Sequence, residues 1–132
     1  LTLKNMNELN QNAVLYCRVC YNNEEALNKQ EDALRAYCKE KNFNVIETVH
    51  EVGPAKISNS PYFRSLAKQL ASNEVSRPVD IILATEPSRF ARNQMDWLLL
   101  GEFCRKNKVT VETIMDNITD YEESYIILSC QF

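Results

Sequence analysis

Arg18, Cys20, Arg89 and Arg92 are the residues of this chain best equipped for chemistry. Arg18-Val19-Cys20 closes the apolar run Ala13-Val14-Leu15-Tyr16, which reads as a buried strand. Side chains two apart on a strand leave the same face, so a guanidinium and a nucleophile-capable thiol can address one substrate group. Arg89 and Arg92 follow a second apolar run, Val79 to Ala84, within Glu86-Pro87-Ser88-Arg89-Phe90-Ala91-Arg92-Asn93. One nucleophile and three arginines at the carboxyl ends of two strands suit attack on a phosphodiester.

The elements around these residues must hold them together. Ala13 to Val19 predicts a fully buried strand. Glu24 to Lys41 predicts a helix, with Leu27, Gln30, Leu34, Tyr37 and Cys38 inward and Asn22 or Asn23 as its cap. Asn44 to Glu51 predicts a second strand, and Val52 to Ser60 a mobile loop of small polar residues. Pro61 opens a helix with Phe63, Leu66, Ala67 and Leu70 inward. Val79 to Ala84 is a third strand, entered through Arg77-Pro78, and Val109 to Met115 a fourth. Between them a helix from Arg92 to Asn107 is expected to bury Met95, Leu98, Leu99 and Phe103. Tyr125, Leu128 and Phe132 form a last helical stripe within Tyr121 to Phe132.

Residues 1–12 are polar, asparagine-rich and expected to be a poorly ordered arm before a single domain over 13–132. Strand–helix alternation predicts an α/β fold: a mostly parallel, four- to five-stranded sheet with helices on both faces. Sites in such sheets lie beyond the carboxyl ends of the strands, where Cys20, the Val52–Ser60 loop and Arg89 all fall.

A length of 132 residues suits one domain, and a hydrophobic fraction of 45% suffices for a core. No apolar stretch approaches the roughly 18 residues of a membrane helix, and no secretory signal opens the chain. Net charge is -3, with no long basic run. DNA affinity rests on phosphate neutralisation, so any DNA grip is expected from a separate basic domain. Five cysteines without repeated spacing argue against a disulfide framework and for a reducing cytoplasm.

The order of these motifs resembles the catalytic domain of the serine recombinases, the resolvase–invertase family. Tyr16-Cys17-Arg18-Val19-Cys20 is similar to the family's opening Tyr-x-Arg-Val-Ser, with cysteine at the nucleophilic serine. Gln30 matches a glutamine typical of the family's next helix. Ser88-Arg89-Phe90-Ala91-Arg92-Asn93 resembles its Asp-Arg-Leu-x-Arg-Asn, with Ser88 for the aspartate. The likeness runs from Ala13 to Asp116.

The resemblance implies a site-specific recombinase acting on double-stranded DNA without metal, nucleotide or other cofactor. A serine attacks the phosphodiester, leaving a 5′-phosphoseryl link and a free 3′ hydroxyl, and strand exchange reverses that step. It implies Cys20 as nucleophile and Arg18, Arg89 and Arg92 as bidentate cations on the phosphoryl oxygens. Gln30, Ser88 and Ser60 are further candidates for contact with DNA phosphate, with Arg64 or Lys56 as stand-ins for a family arginine whose place Ser60 takes. Dimers that pair into tetramers on DNA are implied as well. A longer protein is expected, with the family's dimerisation helix and a DNA-binding region beyond this chain. The outcome, whether integration, excision, inversion or transposition, is not written in these residues.

Three departures stand out. Cys20 replaces serine; a thiol ionises more easily than a hydroxyl, but sulfur is a poorer match for phosphorus. His50-Glu51-Val52-Gly53-Pro54-Ala55 and Ser60-Pro61 stand where the family has Asp-Glu-Gly-x-Ser-Gly and Arg-Pro, so Ser60 takes the place of an arginine. Ser88 takes the place of an aspartate. Three readings follow: an active recombinase, a degenerate relative that binds DNA or regulates a partner, and a thiol oxidoreductase using Cys17-x-x-Cys20. Against the last, Cys17 and Cys20 face opposite ways along a strand. A zinc site lacks further ligands, because His50, Cys38, Cys104 and Cys130 stand singly. Cys17, Cys38 and Cys104 read as small core residues, and His50 as a surface residue.

Overall fold

The computed structural model describes residues 11–54, 59–74 and 78–115. Their elements are β1 (Asn12–Val19), α1 (Glu24–Lys41), β2 (Asn44–Val52), α2 (Pro61–Ala71), β3 (Ile81–Ala84), a 3-10 turn (Pro87–Arg89), α3 (Gln94–Asn107) and β4 (Thr110–Thr113). Lys56 and the middle of the expected loop, Arg77, and the Tyr121–Phe132 stripe lie outside the described residues.

The four strands form one parallel sheet in the order β2-β1-β3-β4. This is the α/β architecture expected from the alternation. The chain steps from β1 to one side and then crosses to β3 on the other, so the switch point lies between the carboxyl ends of β1 and β3. Ligands of open parallel sheets bind in that crevice.

Alternation along β1 builds both cores. Ala13, Leu15, Cys17 and Val19 pack with Leu27, Leu34 and Cys38 of α1. Val14 and Tyr16 pack on the other face with Tyr62, Phe63 and Leu66 of α2 and Trp97, Leu100 and Cys104 of α3. Helices therefore cover both faces, one against two.

Local chemistry sets the helix ends. Asn23 caps α1 by accepting from the Ala26 amide (3.0 Å), and Asn42 ends it in the left-handed conformation (φ 60°). Ser60 caps α2, accepting from the Phe63 amide, with Pro61 in the first turn. Asn93 and Asp96 cap α3 reciprocally: the Asp96 amide donates to Asn93 Oδ1 (2.8 Å), and Asn93 Nδ2 donates to Asp96 Oδ2 (3.1 Å).

That cap starts α3 at Gln94, two residues after the Arg92 start read from sequence. The buried face of α3 also differs. Trp97, Leu100, Gly101 and Cys104 face the core, while Met95 (64% exposed), Leu98 and Leu99 face outward and Phe103 is half-buried. The helix carries two apolar stripes at three-to-four spacing, and periodicity cannot choose between them. In α2, Ala67 is exposed and Tyr62 is buried instead. Asn12, placed in the arm by sequence, opens β1, and β3 and β4 are shorter than expected.

Candidate active site

β1 delivers Arg18 and Cys20 to the switch point by different routes. Arg18 lies within the strand and is 2% exposed, while Cys20 stands just past its end and is exposed. The backbone there is clamped by Gln30: the Arg18 amide donates to Gln30 Oε1 and Gln30 Nε2 donates to the Arg18 carbonyl, both at 3.0 Å. Gln30 is thus a buried helix residue that acts as an extra strand partner. Oε1 and one Nε2 hydrogen are both taken up by the Arg18 backbone in the interior, which gives Gln30 a role in placing Arg18.

The arginine segment is anchored through its middle. Phe90 and Ala91 are buried, and the Phe90 ring stacks on Tyr16 with centroids 5.6 Å apart and planes 9° apart. Two inward residues between Arg89 and Arg92 leave both guanidinium stems at the site rim. Arg92 Nη2 lies 3.5 Å from Cys20 Sγ, the contact that joins the two sequence motifs. Arg89 pairs with Glu86 instead (Nη2 to Oε1, 2.7 Å), and its Nε is buried without a partner among the described residues.

Arg18 is engaged differently again. Its Nε donates to the Arg89 carbonyl (2.9 Å), its Nη2 to the Ser88 carbonyl (3.3 Å) and its Nη1 to the Gly53 carbonyl. Burial lowers its pKa, the Tyr16 and Cys20 side chains oppose that shift, and Arg89 and Arg92 reinforce it. A guanidinium nonetheless remains a cation.

A second hub, Glu51, was passed over in the sequence. Its carboxylate accepts from the Tyr16 hydroxyl (2.5 Å), from Ser60 Oγ (3.0 Å to each oxygen) and from the Tyr62 amide (2.8 Å). Burial, and then the bond to Glu51, raise the Tyr16 phenol well above its usual range. Ser60 is 4% exposed and bonded to Glu51, so it ties the start of α2 to the end of β2 and offers no hydroxyl to phosphate. Only strand pairing, which sets Glu51 beside Arg18, brings Glu51 to the site. Ser88 is half-buried, contributing its carbonyl to Arg18, and Arg64 is exposed on α2. His50 is a surface residue bonded to Glu31 Oε1 (2.8 Å).

Cys17 is buried against α1, turned away from exposed Cys20, and burial pushes its thiol up to about 12. That geometry does not suit a reactive dithiol. Among the described residues, no group of three or more His, Cys, Asp or Glu side chains gathers as a metal site.

Comparison with known proteins bears on the family and the fold. The family model for the resolvase N-terminal domain matches residues 13–129. The N-terminal catalytic domain of TP901-1 integrase superposes with a TM-score of 0.69 at 17% identity, over 90% of this chain and 91% of that one. A resolvase family site-specific recombinase from Streptococcus pneumoniae gives 0.66 at 19% identity, over 90% and 83%. The C-terminal catalytic domain of ISC1926 TnpA, an IS607-like serine recombinase, gives 0.65 at 20% identity, over 89% and 76%. At these identities the three structures share the fold. Comparison with curated proteins gave no match. By the family match over most of its length, the chain belongs to the resolvase N-terminal domain family and is the catalytic domain of a serine-type site-specific recombinase.

Proposed function

We propose that this domain breaks and rejoins double-stranded DNA through a covalent link at Cys20. The Cys20 sulfur attacks phosphorus, a P–S bond forms, and the bond to the 3′ oxygen breaks. The proton lost by the Cys20 thiol ends on that oxygen, which leaves as the 3′ hydroxyl. A 3′ hydroxyl then attacks the same phosphorus, the P–S bond breaks, and the hydroxyl's proton returns to sulfur to restore the thiol. No cofactor is needed, because the phosphoryl-sulfur link conserves the bond energy.

The observation that carries this reading is Arg92 at 3.5 Å from Cys20 Sγ, on the rim of the switch-point crevice. From there a guanidinium can meet both the thiolate and the phosphoryl oxygens. Arg89 is the second candidate for the phosphate, given exchange of its Glu86 partner for DNA. Ser88 and Arg64 are outer candidates for the DNA backbone.

The outward stripe of Met95, Leu98 and Leu99 supports pairing of copies into dimers and tetramers on DNA. Cys17, Cys20 and Cys38, which form no disulfide among the described residues, support a cytoplasmic setting. No helix among the described residues is long and apolar enough to cross a membrane.

The test is adduct trapping with the full-length protein and DNA flanking its own gene. It compares Cys20 with Cys20→Ser and Cys20→Ala. Adducts with cysteine or serine but none with alanine are expected. DNA binding without an adduct in any of the three points instead to a degenerate binding module.

A further inference from the structure

We infer that Tyr21, the residue after the nucleophile, is a stacking platform for the DNA base beside the scissile phosphate and holds that base while the strand is open. The inference rests on the recombinase reading of Cys20 and concerns the part of the nucleotide that the arginines leave unheld.

Tyr21 is 85% exposed, more than any other large apolar side chain among the described residues. A single apolar residue on a surface is ordinary, so exposure by itself assigns nothing. Its position does. Consecutive Cα atoms are about 3.8 Å apart, and successive bases of one strand rise by about 3.4 Å. With Cys20 Sγ on the phosphorus, the next side chain of the protein therefore stands beside a nucleotide that flanks the break. The main chain is fixed on both sides of that position. Upstream, the Gly53 amide donates to the Val19 carbonyl (2.8 Å), and downstream Asn23 caps α1 at the Ala26 amide (3.0 Å). Only Tyr21 and Asn22 separate Cys20 from the cap, so Tyr21 keeps its place relative to the thiol.

The rim around Cys20 is divided as a nucleotide is. Arg92 lies 3.5 Å from the sulfur and Arg89 ends the turn after β3, which suits the anionic phosphate. Tyr21 and, at the end of neighbouring β2, Val52 (52% exposed) offer apolar surface, which suits a base or sugar. Every base has a π-face, so stacking on an aromatic ring tolerates any sequence. In intact DNA both faces of that base are covered by its neighbours. Once the P–O bond breaks and the ends part, one face is uncovered, and a ring beside the sulfur takes the lost neighbour's place. Tyr21 thus favours the covalent intermediate over intact DNA and adds little to initial binding.

The experiment compares the unaltered full-length protein with Tyr21→Phe and Tyr21→Leu, surface changes that leave the fold intact. One arm uses DNA flanking its own gene and reads two quantities: affinity for intact DNA, and the equilibrium ratio of covalent adduct to bound intact DNA. Losing one base–aromatic stack should lower that ratio about 5- to 150-fold in Tyr21→Leu, while Tyr21→Phe keeps it and affinity for intact DNA is unchanged in both. An unchanged ratio in Tyr21→Leu, or an affinity for intact DNA that falls by the same factor, overturns the inference.

A second arm needs no cleavage. A blunt duplex with a 5′-phosphate and 2-aminopurine as its 5′-terminal base presents the phosphate and an open base face together. Its fluorescence should be quenched on binding the unaltered protein and Tyr21→Phe, and stay high with Tyr21→Leu. Equal quenching by all three overturns the platform. Sedimentation of Tyr21→Leu as a smaller species in the absence of DNA would place Tyr21 in a contact between copies, and overturns it too. Failure of the unaltered protein to form any adduct counts against Cys20 as the nucleophile, and the fluorescence arm still decides whether Tyr21 stacks on a base.

Discussion

Arg92 and Cys20, 72 residues apart in the chain, meet at 3.5 Å where the ends of β1 and β3 flank the switch point. A cation at that distance can stabilise both an attacking sulfur and the charge that develops on phosphoryl oxygens. Removing one preorganised donor of this kind typically costs ~100- to 1,000-fold in rate. Arg92→Ala should therefore lower the rate of covalent adduct formation by about that factor, with the melting temperature unchanged because the side chain is exposed. Wild-type adduct rates in this variant would remove Arg92 from the chemistry.

Gln30 joins α1 to the last turn of site geometry on β1. Deleting its amide leaves the Arg18 amide and carbonyl buried without partners. Gln30→Ala is expected to cost about 1–3 kcal/mol in urea unfolding, with adduct formation falling as the strand end loosens. A loss of activity at full stability would instead mark the Gln30 side chain as a direct DNA contact.

The two apolar faces of α3 should respond in opposite ways. Leu100 is 1% exposed, and Leu100→Ala is expected to destabilise by roughly 2–5 kcal/mol through a cavity. Leu98, at 39% exposure, should tolerate serine within about 0.5 kcal/mol in the monomer. If the outward stripe is a contact between copies, Leu98→Ser will shift sedimentation toward the monomer. Equal unfolding costs at the two positions would mean that α3 is rotated in solution.

The thiols provide a pH test. Burial pushes the Cys17 pKa up to about 12, against an unfolded value near 8.5. The neutral thiol is favoured in the fold, so its contribution is complete below about pH 8.5 and is lost as pH rises toward 12. Cys17→Ala should then flatten the fall in urea midpoint between about pH 8 and about pH 10. In the unaltered native protein, brief iodoacetamide treatment should label exposed Cys20 and spare buried Cys17, Cys38 and Cys104, as read by peptide mass. Rapid native labelling of Cys17 would contradict its packing against α1.

Much of the frame was legible because it depends on local rules. The α1 span from Glu24 to Lys41 follows from its apolar stripe and its asparagine cap, and the structure has it unchanged. The parallel sheet follows from strand–helix alternation, and the placing of Cys20 and Arg89 follows from where strands end. The reading of α3 failed for an equally physical reason. Spacing identifies residues that share a face, but only packing shows which face meets the sheet, and there Trp97 and Leu100 displaced Met95 and Leu98.

Residue types, periodicity and spacing carried the α/β class and the family motifs, and they made Arg18, Cys20, Arg89 and Arg92 the candidates for the site. Tertiary structure alone decided how those residues divide the work. Strand order brought Gly53, Ser88 and Arg89 carbonyls to Arg18, and strand pairing set Glu51 beside it. The Asn93–Asp96 cap and the Tyr16–Phe90 stack left Arg92 free to reach Cys20. Residue types and spacing fix what a side chain can do; its partners, here up to 72 residues away, depend on which segments the fold brings together.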